Sequence, residues 1–189
     1  MVNTLNNMYQ EIFKQIDFTT QKLATEYECC TFTDCVFATL KGTTFTDCTF
    51  TNCNLSNANI DLVIFNTCTF DSCKMVGLNF SRTKDFGFSI KAAQCNLSYT
   101  TFERKKLYQS TFDHCIFTGA NFSETDLSEC TIQYSDFTDA VFDRTNLQGI
   151  DFSSNEHFLI NPETNSIKKA KFAAHTLGGL LYKYQIIIQ

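Results

Sequence analysis

Between Leu97 and Phe152 every fifth residue is large and apolar: Phe102, Leu107, Phe112, Phe117, Phe122, Leu127, Ile132, Phe137, Phe142 and Leu147 fill the interval. Two residues before each stands a small side chain, from Cys95 and Thr100 to Ala140 and Thr145, with Lys105 and Ile150 as exceptions. The unit is small–polar–large–polar–polar. A helix returns to one face after three or four residues and a strand after two, so neither carries a period of five. A fixed internal period decides the architecture before local propensities do.

Physically, the small and the large residue face inward and the other three face water. A short extended segment that then turns a corner satisfies this, with the large side chain filling the interior. Four such sides close a square coil, and successive coils stack as parallel strands about 4.8 Å apart. Residues one coil apart should then match, and they do in Phe102/Phe122/Phe142, Leu107/Leu127/Leu147 and Leu97/Phe117/Phe137. One coil cannot bury its interior alone, so neighbours stabilise one another and the ends need caps.

The ten cysteines raise the question of disulfides or zinc. Nine of them (Cys30, Cys35, Cys48, Cys53, Cys68, Cys73, Cys95, Cys115 and Cys130) sit at the small inward position, and only Cys29 does not. Stacked cysteines lie a strand spacing apart, too far for an S–S bond of ~2.05 Å. Zinc needs four converging ligands, which this spacing does not supply. Buried free thiols are expected, and no metal. No signal-peptide-like run occupies residues 1–24 and no stretch of ~20 apolar residues exists, so neither secretion nor a membrane is expected. Free thiols then suggest the cytoplasm.

Along the chain, Leu5, Met8, Ile12 and Phe13 have helical spacing, and residues 1–24 are read as a helical cap over the first coil. The repeat starts near Tyr27. Its phase shifts between Phe37 and Phe45, where Ala38–Gly42 reads as a short loop or bulged corner, and again between Phe80 and Leu97. There Lys84–Ile90 alternates apolar and polar around Gly87, which marks a hinge between a first stack, 25–90, and a second, 91–152. Lys105 at a small position demands that the corner bulge or the lysine snorkel. Residues 153–189 follow the last repeat: a turn at Asn161–Asn165, a helix over 167–176 stopped by Gly178-Gly179, then a strand.

No catalytic constellation is present. Asp113-His114-Cys115 is the one tempting triplet, but Cys115 is an inward repeat cysteine. No phosphate-binding glycine loop and no cofactor motif occur. Charge carries more. From Leu107 to Phe152 the acids are Asp113, Glu124, Asp126, Glu129, Asp136, Asp139, Asp143 and Asp151 against one base, Arg144, a formal charge of −7 where the whole chain has −5. All eight are outward. They give solubility, or a negative rod that imitates duplex DNA before a protein that grips DNA. The same charge disfavours direct nucleic-acid binding, despite the basic cluster Arg82, Lys84, Lys91, Arg104, Lys105 and Lys106.

The repeat resembles the pentapeptide-repeat family over residues 27–152, which implies an all-β solenoid, a right-handed quadrilateral parallel β-helix with short terminal helices. Two unequal stacks meeting near one glycine, here Phe86-Gly87-Phe88, and repeats such as Asn96-Leu97-Ser98-Tyr99 and Asp126-Leu127-Ser128 are similar to the Qnr-type quinolone-resistance proteins. That resemblance implies a non-enzymatic DNA mimic that binds a type II topoisomerase, DNA gyrase or topoisomerase IV, with quinolone tolerance as a consequence. The alternative is an interaction scaffold with an unrelated partner. The resemblance also implies a C-terminal homodimer. The apolar residues Leu177, Leu180, Leu181, Tyr182, Tyr184, Ile186, Ile187 and Ile188 are more than one small helix can bury against a coil, and a two-fold pairing would hide both copies. No small-molecule substrate is expected.

Overall fold

The computed structural model describes residues 7–187. They form a parallel β-solenoid. Its strands are β1 (Asn7–Tyr9), β2 (Ile12–Lys14), β3 (Glu26–Glu28), β4 (Thr31–Thr33), β5 (Thr44–Thr46), β6 (Thr49–Thr51), β7 (Ile64–Asn66), β8 (Cys68–Asp71), β9 (Ile90–Ala93), β10 (Thr111–Asp113) and β11 (Thr131–Gln133). One wall is a four-stranded sheet in the order β1-β3-β5-β7, and the next is a seven-stranded sheet running β2-β4-β6-β8-β9-β10-β11. The third wall is a ladder of single parallel bridges from Asp17 through Val36, Asn54, Lys74, Asn96, Ile116 and Asp136 to Glu156. The fourth runs through Thr39–Asn59 and Asn79–Thr101–Asn121–Val141.

The five-residue unit explains each feature of a rung. The central residue is inside, so aromatic columns run along the axis. Phe13, Phe32, Phe50 and Phe70 stack with centroids 4.9, 4.7 and 4.8 Å apart and nearly parallel planes. Phe80, Phe102, Phe122 and Phe142 form a second column. Two residues after the centre the backbone turns the corner in the left-handed region, as at Asp34, Asn52, Asn57, Ser72 and His114. Asn and Asp tolerate that conformation best among residues with a Cβ. The residue just before the centre biases the rung type. Thr stands there in the extended rungs β4, β5, β6, β10 and β11, although Thr39 and Thr101 precede turning rungs. Asn or Asp there mostly accepts the N–H two residues on through its side-chain oxygen, as Asn54 does from Ser56, Asn96 from Ser98 and Asp136 from Thr138, although Asn7 lies in extended β1. That turn competes with the strand.

Three expectations require correction. Residues 7–14 are not a helix but β1 and β2, paired in parallel with β3 and β4. Met8, Phe13 and Phe18 are already five-residue centres, and the helical spacing arises because a period of five overlaps it over two rungs; Leu5 lies outside the described residues. Ala38–Gly42 is not an added loop. Leu40 is fully buried, Leu40 N–H bonds Asn59 O, and Gly42 turns the corner at φ +71°. The coil from Tyr27 to Phe45 is therefore short by two residues, lost at the corner between Phe37 and Leu40. At the other end the repeat does not stop at Phe152. Ser166 bridges Asn146 and Lys171 bridges Asp151, so Ile167 and Phe172 continue the inward series where a helix was expected. The helix is α1 (Gly178–Leu181), preceded and followed by 3₁₀ turns at Ala174–Thr176 and Tyr182–Tyr184. Of the residues expected as a strand, Leu180 and Leu181 lie in α1, Tyr182 and Tyr184 in the second turn, and Ile186 and Ile187 follow it outside any strand. Gly178 and Gly179 begin this helix instead of ending one. A Cβ on Gly179 would lie 2.2 Å from Phe158 O, so only glycine lets α1 sit this close to the last coil.

Near that end asparagine takes over the small position. Asn155 accepts from Ser135 N–H and donates to Ile132 O, and Asn165 accepts from Thr145 N–H and donates to Phe142 O. Each amide side chain satisfies backbone groups of the preceding coil, which buried polar groups require.

Candidate functional site

The outward acids between Leu107 and Phe152 do not form one stripe. Asp113 and Asp151 lie on the second wall, Asp136 on the third, Asp143 on the fourth, and Asp126 on the first; Asp126, Asp136 and Asp151 take part in bridges. Several are neutralised across coils. Glu124 sits between Arg104 and Arg144, 3.1 and 3.0 Å away, and the Arg104 guanidinium holds its carboxyl below the usual range. Asp151 pairs with Lys171 at 3.2 Å, and the Ser153 hydroxyl, then the Ser153 amide, then this lysine lower its pKa. Asp136 is raised by burial but lowered overall, through the Thr138 hydroxyl and amide and then His157 at 3.1 Å. Asp126 accepts from Ser128 N–H, Ser128 hydroxyl and Asn146 Nδ2, so it braces two coils. Asp143 pairs with Arg144, and Asp113 lies 3.0 Å from His114. Glu129 and Asp139 are exposed.

At the C-terminus Leu177, Tyr182, Tyr184, Ile186 and Ile187 are exposed, Ile187 to 88%. Leu180 is half-buried against the core and Leu181 is half-buried. Ile188 lies outside the described residues. Tyr184 donates its hydroxyl to Glu163, and Lys183 pairs with the same carboxylate.

Gly87 lies where the first wall is interrupted. β7 ends the four-stranded sheet, and the coil from Phe70 to Ala92 is two residues longer than the one from Phe50 to Phe70. The surplus forms a strap. Lys84 N–H and Ser89 N–H bond Val63 O and Phe65 O, while Asp85, Phe86 and Gly87 leave the wall. Gly87 has φ +67° and Phe86 is 84% exposed. Beneath the strap Phe88 turns inward, its ring edge-on to Phe80. Lys105 neither bulges nor snorkels. It is 1% exposed, and its Nζ donates to Thr83 O, Lys84 O and Asp85 Oδ1 at 3.0, 3.2 and 2.8 Å, over the Phe88 ring. Burial lowers its pKa, opposed by Asp85. The lysine at a small position signals this break in the sequence; what fills the gap is legible only in three dimensions.

The triplet Asp113-His114-Cys115 cannot act as a unit. Cys115 Sγ points into the wall and donates to Ala92 O, burial pushes its thiol up to about 12, and His114 faces outward against the Tyr134 ring. All ten cysteines are free thiols; nine are buried and Cys29 is exposed. Cys35, Cys53, Cys73, Cys95 and Cys115 stack in one column, and each donates to a carbonyl of the coil before, Cys35 to Phe13 O. Among the described residues no three or more His, Cys, Asp or Glu side chains are grouped to hold a metal, and no helix is long and apolar enough to cross a membrane.

Two trypsin-treated variants of QnrB1, a plasmid-mediated fluoroquinolone resistance protein, superpose on the chain with TM-scores of 0.63 and 0.54. Both are 19% identical; the first alignment covers 96% of this chain and 99% of that one, the second 97% and 100%. HetL, a pentapeptide repeat protein involved in heterocyst differentiation regulation in Nostoc sp. strain PCC 7120, superposes with a TM-score of 0.43 at 11% identity, over 89% of this chain and 85% of that one. No curated protein sequence matches the chain. The family model for pentapeptide repeats matches eight copies over residues 29–66, 93–133 and 120–154, more than half of the chain. With its five-residue rungs, inward Phe and Cys columns and four-walled coil, the protein belongs to the pentapeptide-repeat family.

Proposed function

We propose that the protein is a non-enzymatic interaction scaffold, a rod that presents outward side chains to a protein partner. The observation that carries this is the division of labour within the rung. Central and small side chains are consumed by the core and the ladder, so variable chemistry is confined to the outward positions. Ten free thiols suit a reducing compartment, so a cytoplasmic location belongs to the proposal. So does a boundary between two stacks at the strap.

A type II topoisomerase is the partner to test first, given the overall likeness to QnrB1. Duplex mimicry would require a continuous negative band, and the interleaving of Arg104, Glu124 and Arg144 in one column weakens it. That column favours a scaffold whose partner reads shape and mixed charge. Gyrase supercoiling, with and without the protein and then with ciprofloxacin, is the test. Restored supercoiling in the presence of drug supports topoisomerase binding and quinolone tolerance; an unchanged titration at protein excess removes that partner.

The exposed cluster Leu177, Tyr182, Tyr184, Ile186 and Ile187 supports a homodimer, because one patch serves both subunits of a two-fold pair. Light scattering should give a dimer for the full chain and a monomer for Ile187→Asp with Tyr182→Asp. A full-length monomer at micromolar concentration rules the dimer out.

A further inference from the structure

The interrupted first wall leaves a groove of about 560 Å³, lined by Asn66, Thr67, Gly87, Arg104, Lys106 and Tyr108 among others. Three observations bear on what it holds. First, one rung beside it has an open edge. In later coils the residue at this position has both backbone groups paired. Asp126 N–H bonds Lys105 O and its carbonyl accepts from Leu107; Asn146 and Ser166 repeat the pattern. The N–H and C=O of Lys106, facing the groove, find no partner among the described residues. Second, the groove is cationic within a chain of net charge −5. Lys106 is exposed and forms no ion pair among the described residues, Arg104 shares its charge with Glu103 and Glu124, and the lining carboxylate of Asp85 is taken up by Lys105. Third, Tyr108 and Phe88 line it with aromatic surface, and Tyr108 is exposed.

We propose that this groove docks an extended, carboxylate-bearing segment of a partner protein, which pairs its backbone with Lys106 as the missing rung of the first wall and sets an Asp or Glu beside Lys106 and Arg104. An unpaired rung is a template for another strand, and main-chain pairing with flanking side-chain contacts is how extended peptides are recognised. The carboxylate end lies toward Arg104, because Asp126 and Glu129 border the adjoining groove on the far side of Lys106 and Tyr108. The proposal shares with the scaffold reading only that the ligand is a protein, and it stands whether or not a topoisomerase binds.

The probe is a fluorescein-labelled heptapeptide of alternating valine and glutamate, added to the full-length protein and followed by fluorescence anisotropy. Saturable binding is expected, with slowed hydrogen exchange at the Lys106 amide. Affinity should fall about tenfold or more with Lys106→Glu, and comparably when alternate peptide nitrogens are methylated or glutamate is replaced by lysine. Thermal unfolding of Lys106→Glu checks that the exposed substitution leaves the fold intact. No saturation up to about 1 mM peptide, equal binding by the N-methylated peptide, or no change with Lys106→Glu overturns the proposal. Tighter binding of a labelled oligothymidylate than of the peptide also overturns it, in favour of a single-stranded nucleic-acid groove. Failure of the gyrase assay together with peptide binding would remove the topoisomerase and leave the groove.

Discussion

The first and second walls of the solenoid use the same five-residue unit, yet the second runs through seven strands without a gap while the first stops at β7 and resumes at Lys106. Two surplus residues between Phe70 and Ala92 make the difference. A β-ladder absorbs an insertion only at a corner or by abandoning a rung. Here the second wall keeps register, Phe70 opposite Ala92, and the whole cost falls on the first. Two residues missing from the coil of Leu40, by contrast, leave both sheets intact. Deletion shortens one side of one coil; insertion opens a wall. The opened wall is then repaired by side chains, Phe88 for the absent aromatic and Lys105 for the absent hydrogen-bond donors.

The sharpest way to break this contrast is to damage the intact wall. Phe50→Ala removes a ring stacked between Phe32 and Phe70, and a loss of about 3–5 kcal/mol is expected in denaturant unfolding. Lys105→Met keeps the volume but strips donors from the Thr83 and Lys84 carbonyls, and should cost about 2 kcal/mol. The same variant carries a pH signature. The folded-state pKa of Lys105 is depressed, so the unfolded chain binds the proton more tightly. Wild-type stability relative to Lys105→Met should therefore rise as pH increases from the depressed value toward the ordinary lysine value, and be flat below it. A falling difference would reverse the assignment. Asp126→Ala removes a turn acceptor and its bond from Asn146, about 1 kcal/mol by thermal unfolding. Asp139→Ala, exposed, should stay within about 0.5 kcal/mol. Equal losses at Asp126 and Asp139 would mean that outward acids brace nothing between coils.

Much of this was legible in the chain. The series from Phe102 to Phe142 defines the coil, and the small position foretells nine buried thiols, because a cysteine two residues before a large apolar centre has nowhere else to point. The terminal rungs were harder. Met8 with Ile12 fits a helix as well as Met8 with Phe13 fits a coil, and the two lysines after Ile167 mask its partner Phe172. Leu40 is hidden because the corner before it, after Phe37, is two residues short. Outward placement of the acids follows from the period; their neutralisation does not, until the column rule that matches Phe102 with Phe122 is applied to Arg104, Glu124 and Arg144. The groove beside Lys106 has a weaker trace still, since backbone groups left unpaired have no letter in the sequence.

Stacked coils also set how the protein comes apart. Each coil touches only the one before and the one after, so stability accrues by nearest-neighbour terms and order can spread from any seed. Contacts span about one coil of sequence, and such local topology favours fast assembly. The coupling is weakest where one of four ladders is missing. Under load, or in mild denaturant, the proposed two-stack division would end a cooperative block at the strap, Lys84–Ser89, with Lys105 as the rivet across the seam.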